Sequence, residues 1–157
     1  MWAVKVPGRP RPKGSWKCVG RGGKHRLVEQ RPSGPWRRQV TEAGQLIAAQ
    51  TGGPLDGPVT VKIAFTVPLP RSINPLRRPW PALAGGVGDI DKLARSVLDS
   101  LTEAGVWHDD GQVVELTASK HYPHSPGVDV LPSPGAVIRV WRTTDIYPPE
   151  EENHHET

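Results

Sequence analysis

Cysteine and long apolar runs are the features that this sequence has least of. Cys18 is the only cysteine among 157 residues, which excludes an intrachain disulfide framework and fits a reducing compartment. No stretch approaches the roughly 20 consecutive apolar residues of a membrane-spanning helix, and the mean hydropathy is -0.48. The first residues show no basic segment followed by an apolar one, so we expect no export signal. These absences predict a soluble, cytoplasmic protein.

The length and the loop-forming residues bound the domain organisation. A chain of 157 residues favours one domain, and 18 prolines with 17 glycines predict long loops beside a modest core. We predict a single folded domain over residues 1–144, with a basic loop at 7–35 and a flap at 68–88. Residues 145–157 are rich in acidic residues and are predicted to form a disordered acidic tail.

Acidic residues are scarce at the amino terminus. Residues 1–40 contain eleven Lys or Arg residues and one acidic residue, Glu29. Five of the sixteen Asp and Glu residues lie in the last 13 residues, so residues 1–144 hold all twenty basic residues, eleven acidic ones and a net charge of +9. This surplus favours a polyanionic partner, because neutralising phosphates releases counterions from nucleic acid. A basic segment that is merely hydrated is the alternative.

The hydrophobic pattern predicts an α/β (α+β) fold. Alternating or β-branched runs predict four strands, at residues 2–6, 59–67, 112–122 and 136–141. Apolar residues at helical spacing predict two helices, at residues 35–51 and 91–104. We therefore expect a two-layer sandwich, a small mixed sheet covered by two helices, in the order β-α-β-α-β-β. The last two strands are predicted to run antiparallel, because a short connection cannot return a chain in parallel.

Two acidic residues begin the second predicted helix. Asp89 and Asp91 follow Gly88, and a carboxylate at a helix N-terminus is stabilised by free backbone N–H groups and the helix dipole. Capping the helix needs only one of these two carboxylates, so the presence of the second favours a functional role. At 100° per residue, Asp91, Arg95 and Asp99 lie within about 80° of each other on the helix.

A third acidic group follows the same helix. Asp109-Asp110-Gly111 has the chemistry of a turn, and we expect this turn to bring Asp110 back beside Asp89 and Asp91. Three carboxylates in a basic protein are a common way to hold Mg²⁺, which prefers oxygen ligands. A helix cap and an ordinary turn are the alternative interpretation of the same residues.

Three segments of this region together resemble one known family. Residues 88–93 (GDIDKL), 98–101 (LDSL) and 104–114 (AGVWHDDGQVV) closely resemble the RusA family of Holliday junction resolvases, which are crossover junction endodeoxyribonucleases. The family pattern is D-x-D-N-L-x-K on a helix, then a D-A-L run, then a D-D-x-Q-V turn. The resemblance is close over 89–120 and weaker toward both ends of the chain. Each segment alone is unspecific, whereas their combination is specific.

The resemblance implies a RusA-like domain that resolves four-way DNA junctions by paired, Mg²⁺-dependent phosphodiester hydrolysis. It implies that Asp89, Asp91 and Asp110 bind Mg²⁺, for which Mn²⁺ could substitute, and that Arg95 stabilises charge on the scissile phosphate. Because a four-way junction has two-fold symmetry, a homodimer with two sites is also implied. The setting would be recombination or repair in a bacterial cell or a phage-infected host.

Two positions depart from the family pattern. Lys92 stands where the pattern has Asn, and Arg95 stands where it has Lys. Arg95 keeps the positive charge but does not readily deprotonate, which argues against proton transfer at this position. The 68–88 connection is also longer than the family's usual one, so its geometry does not carry over.

Basic residues around this region are predicted to contact DNA, namely Arg9, Arg11, Lys13, Lys17, Arg77, Arg78, Lys92 and Lys120. Trp16 and Trp80 lie among these cations and could stack on exposed bases. A nucleotide cofactor is not expected, because residues 20–25 lack the P-loop spacing and its final Ser or Thr.

Two other functions fit the same residues. One is a catalytically silent protein that binds junction or duplex DNA and uses its acidic residues as caps and ion pairs. The other is a nuclease with the same metal chemistry that acts on flaps or other branched DNA.

Overall fold

A computed structural model describes residues 1–12, 16–29, 34–82 and 88–150, without the side chains of residues 16–18 and 27–29. In these ranges the strands are β1 Trp2–Pro7, β2 Trp16–Arg21, β3 Lys24–Glu29, β4 Val59–Thr66, β5 Val113–His121 and β6 Gly135–Arg142. The α-helices are α1 Gly34–Thr51, α2 Ile90–Glu103 and α3 Thr143–Ile146. A short 3-10 helix, Asp110–Gln112, precedes β5. None of the described helices has the length and apolarity that crossing a bilayer requires.

Four strands form one mixed sheet in the order β1-β6-β4-β5. β6 pairs antiparallel with both β1 and β4, whereas β5 pairs parallel with β4. The predicted α+β sandwich with a mixed sheet is therefore confirmed. β5 and β6 run antiparallel as predicted, but they are not neighbours, because β4 lies between them.

α1 and α2 cover one face of this sheet and form the core with it. From α2, Leu93, Val97 and Leu101 are fully buried, and they join the side chains on the inner face of β4 in one apolar cluster. The helices lie close together at Gly44, where a Cβ atom would come within 2.7 Å of the Ala104 Cβ. The apolar residues of α2 lie on one face of the helix, and the core covers that face. The opposite face is exposed to solvent.

The predicted irregular loop at 7–35 is wrong in one respect, because β2 and β3 form an antiparallel hairpin inside it. The turn is Gly22-Gly23, with φ angles of +61° and +80°. Positive φ at both central residues defines the turn type whose twist matches paired strands, and glycine adopts it without strain. The hairpin forms a two-stranded sheet of its own.

The other two predicted irregular segments are described in part. Residues 68–82 contain no helix or strand, as expected for the flap, and residues 83–87 lie outside the description. The chain after β6 does not become irregular at once, because Thr143–Ile146 form the single turn of α3. The Thr143 N–H donates to the Pro58 carbonyl and holds this turn against the start of β4. Residues 151–157 of the predicted tail lie outside the described residues.

The loop between β5 and β6 is held by a partly buried ion pair. Arg139 of β6 donates to both carboxylate oxygens of Asp129, at 2.7 Å and 2.6 Å. These bonds hold the pKa of the Asp129 carboxyl below its ordinary value and raise the pKa of Arg139. Asp129 has a φ of +67°, a conformation that Asp tolerates better than most residues. The pair therefore holds a strained backbone position against the sheet.

Candidate active site

The amino end of α2 presents two carboxylates to solvent. Asp89 is the N-cap residue by its extended backbone, but its side chain makes no capping hydrogen bond and is 75% exposed. Asp91 is exposed in the first turn. Lys92 Nζ lies 3.7 Å from the Asp89 carboxylate. Helix capping therefore does not account for this acidic pair, Asp89 and Asp91.

Two other parts of the chain contact Gly88, the residue directly before the acidic pair. Lys120, near the end of β5, points its Nζ toward the Gly88 carbonyl at 3.5 Å. Pro12 packs against Gly88, because a Cβ atom there would lie 2.8 Å from the Pro12 Cγ. The fold thus brings Lys120 and the segment that carries Arg9 and Arg11 to the same end of α2, as a DNA-contacting surface would require.

A turn at the other end of α2 carries Asp109 and Asp110. The Asp109 carboxylate accepts a hydrogen bond from the Gly111 N–H at 2.7 Å and caps the short 3-10 helix. Asp110 is exposed, and no hydrogen bond or ion pair joins its carboxylate to the described residues. In this acidic turn, residues 108–112, the Asp109 carboxylate is therefore occupied as a helix cap. The Asp110 carboxylate is available for a ligand.

Gln112 fixes the acidic turn to the start of β4. Its Oε1 accepts from the backbone N–H groups of His108 and Asp109, at 2.8 Å and 3.1 Å. Its Nε2 donates to the carbonyls of Leu55 and Gly57, at 2.8 Å and 2.9 Å. One side chain thus satisfies four backbone groups, so the backbone that carries Asp110 is held firmly.

The acidic turn does not fold back to the acidic pair, which corrects the expected three-carboxylate cage within one chain. The 14 residues of α2 extend about 20 Å, and the turn lies beyond its last residue. β5 then begins beside the start of β4, whereas Lys120 at its far end reaches Gly88. Among the described residues, no three His, Cys, Asp or Glu side chains come together as a metal site.

The exposed residues of α2 that carry charge lie on a defined side. Arg37 of α1 pairs with Glu103 at 3.4 Å, which marks the side of α2 that faces α1. At 100° per residue, Asp91 and Arg95 lie within about 40° of each other and about 80–120° from Glu103. Both are exposed, on the side of α2 opposite its buried residues.

The remaining predicted DNA contacts are exposed, partly buried or outside the description. Arg9 is exposed and Arg11 is half-buried beside Pro12. Arg77 and Arg78 are exposed on the flap, where both backbone N–H groups donate to the Asn74 carbonyl. Lys13 and the side chain of Lys17 lie outside the described residues.

The flap contacts the end of β5 through two rings. Trp80 is 61% exposed, and its ring lies 5.7 Å from the ring of His121, at 49°. His121 Nε2 lies 2.8 Å from the Ser119 hydroxyl, whereas its buried Nδ1 has no partner in the described part of the chain. Burial lowers the pKa of His121, because a charged imidazole would lose hydration there. An exposed tryptophan of the flap is thereby held at the end of β5.

Some exposed cations and turn-stabilising residues were not assigned a role from the sequence. Arg21, Lys24 and Arg26 are exposed cations on the hairpin. The sequence signal for this hairpin was Gly22-Gly23 between two runs of strand-forming residues. The sequence shows Gln112 only as part of a motif, because its role depends on the Leu55 and Gly57 carbonyls, more than 50 positions away in the chain. No local pattern indicates such contacts.

The fold and the unused carboxylates define an α+β protein with a basic surface around acidic residues, as expected of an enzyme that acts on nucleic acid. The family model described as "Endodeoxyribonuclease RusA" matches residues 7–131. The chain therefore belongs to the RusA family of endodeoxyribonucleases.

One curated relative was also found by sequence. The chain is 29% identical over 83 residues to the "Uncharacterized protein YqaN" of Bacillus subtilis (strain 168). The match covers 49% of this chain and 58% of that protein, so it spans less than two thirds of the relative's length.

Proposed function

We propose that this protein is a homodimeric, Mg²⁺-dependent endodeoxyribonuclease that cuts four-way DNA junctions, in the cytoplasm of a bacterial cell or phage-infected host. Membership of the RusA family supports the nuclease class. The observation that carries the proposal is the presence of three exposed carboxylates, in Asp89, Asp91 and Asp110, that cap no helix and accept no hydrogen bond within the described residues. Asp109 shows the contrast, since its carboxylate is consumed by a cap.

Each chain holds only part of a metal site. Two carboxylates lie at one end of α2 and the third lies about 20 Å away at the other end. In a two-fold dimer with antiparallel α2 helices, the acidic pair of one chain would meet the acidic turn of its partner. We therefore assign Asp89 and Asp91 of one chain and the partner's Asp110 to each of two equivalent sites.

This donor set suits a hard divalent cation. Mg²⁺ takes oxygen ligands in octahedral geometry and is usually held by a few carboxylates that leave positions for water and phosphate. When bound, such an ion lowers the pKa of a coordinated water and stabilises charge on a phosphate oxygen. The same chemistry accommodates Mn²⁺.

The cations of the chain would bind and orient the DNA backbone around the carboxylates. Arg95 lies one helical turn from Asp91, so its guanidinium can bind the phosphate that the carboxylates approach. Lys92 offsets the charge of Asp89, and Lys120, at the Gly88 carbonyl, would add a second positive charge at this end of α2. Arg9, Arg11, Arg77 and Arg78, together with Lys13 and Lys17, would extend the contact along the arms of the junction.

Cleavage of defined substrates tests the proposal. The purified protein is incubated with a synthetic four-way junction, a flap, a duplex and a single strand, in Mg²⁺, Mn²⁺ or EDTA. We expect metal-dependent cuts that prefer the four-way junction. Binding without cleavage in either metal would identify a silent DNA-binding protein, and preferred cutting of the flap would identify the alternative nuclease.

Neighbouring carboxylates provide a matched pair of variants. Asp110→Asn should lower the cleavage rate at least about 100-fold, because it removes a predicted ligand. Asp109→Asn should retain most activity, because an Asn side chain can still accept the Gly111 N–H bond. Equal losses in the two variants would contradict the assignment of Asp110.

A further inference from the structure

We propose that the described part of the flap, residues 68–82, binds one unpaired nucleotide of branched DNA. The base would stack on the exposed ring of Trp80, and its phosphate would lie in a cavity lined by Arg77 and Arg78. The inference rests on the proposed function in taking branched DNA as the ligand. It names the feature of such DNA that this chain would recognise.

Two anchors hold this part of the flap against the rest of the protein. Ile73 packs against the apolar core, and Pro81 is buried. Trp80 lies between Pro79 and Pro81, which restrict the backbone on both sides of it, and its carbonyl accepts from the Ala82 N–H at 2.8 Å. The indole ring is therefore held in place before a ligand arrives, so little conformational entropy is lost when a base stacks on it.

Trp80 offers a planar apolar surface to solvent. One side of its ring contacts the ring of His121, with 5.7 Å between the two centroids, yet the residue remains 61% exposed. Every nucleobase has a π-face that stacks on such a ring, whatever the sequence. The bases of a duplex are already stacked on both sides, so a base must be unpaired or extruded to use this surface.

A cavity of about 350 Å³ lies earlier on the same flap and is lined by Ser72, Ile73, Asn74, Arg77 and Arg78. Asn74 shapes this cavity. Its backbone carbonyl accepts from the N–H groups of Arg77 and Arg78, at 3.1 Å and 2.9 Å, and its side chain accepts from the Leu76 N–H at 3.0 Å. Two guanidinium groups and a hydroxyl are donors that suit a phosphate.

Charge and spacing join the ring and the cavity into one site for a nucleotide. Residues 68–82 contain three arginines and no acidic residue, which favours an anionic ligand. No described acidic side chain pairs with Arg77 or Arg78. The Cα atoms of Arg78 and Trp80 are at most about 7 Å apart, because only one residue separates them. One nucleotide can therefore place its phosphate at the arginines and its base on the ring.

This site lies at the same end of β5 as the acidic pair. Trp80 contacts His121, and the preceding residue, Lys120, points its Nζ toward the Gly88 carbonyl at 3.5 Å. Gly88 directly precedes Asp89. Capture of an unpaired nucleotide here would favour branched DNA over a continuous duplex, which has no free base to offer.

DNA binding in EDTA tests the site without cleavage. Fluorescence anisotropy compares a four-way junction that has one unpaired thymine at its branch point with a perfect duplex. Trp80→Ala should lower the affinity for the junction about 5- to 150-fold, and the affinity for the duplex less than about twofold. Trp80→Phe keeps an aromatic face and should restore most of the affinity. A loss below twofold on the junction, or equal losses on both DNAs, would overturn the stacking site.

Salt dependence tests the phosphate cavity separately. Arg78→Gln should reduce the slope of log K against log salt by about one, because one phosphate contact is lost. Trp80→Ala should leave the slope unchanged, since stacking releases no counterions. Leu76→Ala is the matched control on the same flap, where Leu76 is 91% exposed, and should match the wild-type protein in affinity and slope. A wild-type slope for Arg78→Gln would overturn the cavity's role, and thermal unfolding checks that each variant folds.

Photo-cross-linking identifies the contact directly. The unpaired thymine is replaced by 5-iodouracil, the complex is irradiated, and mass spectrometry of the digested protein locates the adduct. We expect the adduct at Trp80. An adduct at a different aromatic residue, or none, would contradict stacking on the flap.

The outcomes separate this inference from the proposed function. A protein that prefers the unpaired base through Trp80 but cuts no DNA in Mg²⁺ would support the flap site and contradict the nuclease. A junction-cutting protein whose Trp80→Ala variant binds both DNAs as the wild type does would show the reverse.

Discussion

At the scale of single residues, Asp109 and Asp110 are neighbours whose carboxylates have different environments. Asp109 accepts a backbone hydrogen bond within its own turn, whereas Asp110 extends into solvent. Burial or charge alone does not distinguish them, because both residues are exposed. The distinction comes from the geometry of the 3-10 turn, which uses one side chain as a cap and leaves the next available for a ligand.

Gln112 is predicted to stabilise the turn that carries Asp110. Gln112→Ala should lower the free energy of unfolding by about 2 kcal/mol, because four backbone groups lose a partner and some must stay partly buried. Urea unfolding followed by circular dichroism measures the change. Gln45→Ala, on the exposed side of α1, should change the free energy by less than about 0.5 kcal/mol. Equal effects of the two substitutions would contradict this role.

The Asp129–Arg139 pair predicts a pH dependence of stability. The folded pKa of Asp129 is below its unfolded value, so the pair stabilises the fold fully above about pH 5. This contribution is lost as the pH falls through the depressed folded pKa. Asp129→Asn should therefore cost about 2–3 kcal/mol at pH 7 and progressively less toward pH 2.

Thermal melts from pH 7 to pH 2 measure that difference. Asparagine also tolerates positive φ, so the substitution tests the charge rather than the backbone. Glu42→Gln, an exposed acid on α1, should leave the pH profile of the wild-type protein unchanged. A constant gap between Asp129→Asn and the wild-type protein across this range would show that the ion pair is not the cause.

At the scale of elements, the sheet strands and both long helices were predictable within about two residues. Their signals are local: β-branched runs for β4, and an amphipathic period ended by a glycine for α2. Gly105, at φ +80°, ends that helix as a left-handed residue should. The hairpin was missed because its strands are strongly basic, although Gly22-Gly23 between two six-residue runs is a strong turn signal.

The position of Asp110 could not be predicted from the local pattern. Six residues separate α2 from Asp110, and an extended chain of that length spans about 20 Å, enough to reach back along the helix. Instead, the Leu55 N–H bonds to the Val106 carbonyl and the Trp107 indole bonds to Thr102. Those tertiary contacts hold the segment at the carboxyl end of α2.

The hairpin is predicted to contribute to DNA affinity rather than to stability. It pairs only with itself among the described strands and exposes Arg21, Lys24 and Arg26. Replacing all three by Gln should weaken junction binding and reduce the slope of log K against log salt by up to about 3. Fluorescence anisotropy at several salt concentrations measures both quantities.

Two comparisons make the hairpin prediction specific. The melting temperature of the triple variant should match that of the wild-type protein, because no core contact is lost. Arg38→Gln, exposed on α1 and outside the predicted DNA contacts, should alter the slope by less than one unit. A triple variant with an unchanged slope would show that the hairpin does not contact DNA.

At the scale of the whole molecule, the proposed function makes one chain a scaffold that carries two unlike halves of a site. The sandwich holds the acidic pair and the acidic turn rigidly apart, so a metal site with all three carboxylates requires a second chain. A four-way junction presents two equivalent strands to be cut, and a two-fold dimer offers two equivalent sites. Under the proposed function, the separation of the carboxylates would link metal binding to assembly.

Mixing two inactive variants tests this claim most directly. Asp91→Asn and Asp110→Asn are purified separately, mixed, unfolded and refolded together, and assayed for cleavage of a labelled four-way junction. Alone, neither variant should cut. In the mixture, half of the dimers pair unlike chains and each of these has one intact site, so about a quarter of the wild-type sites should be active. These dimers should nick one strand. A mixture no more active than its separate components would contradict the shared site.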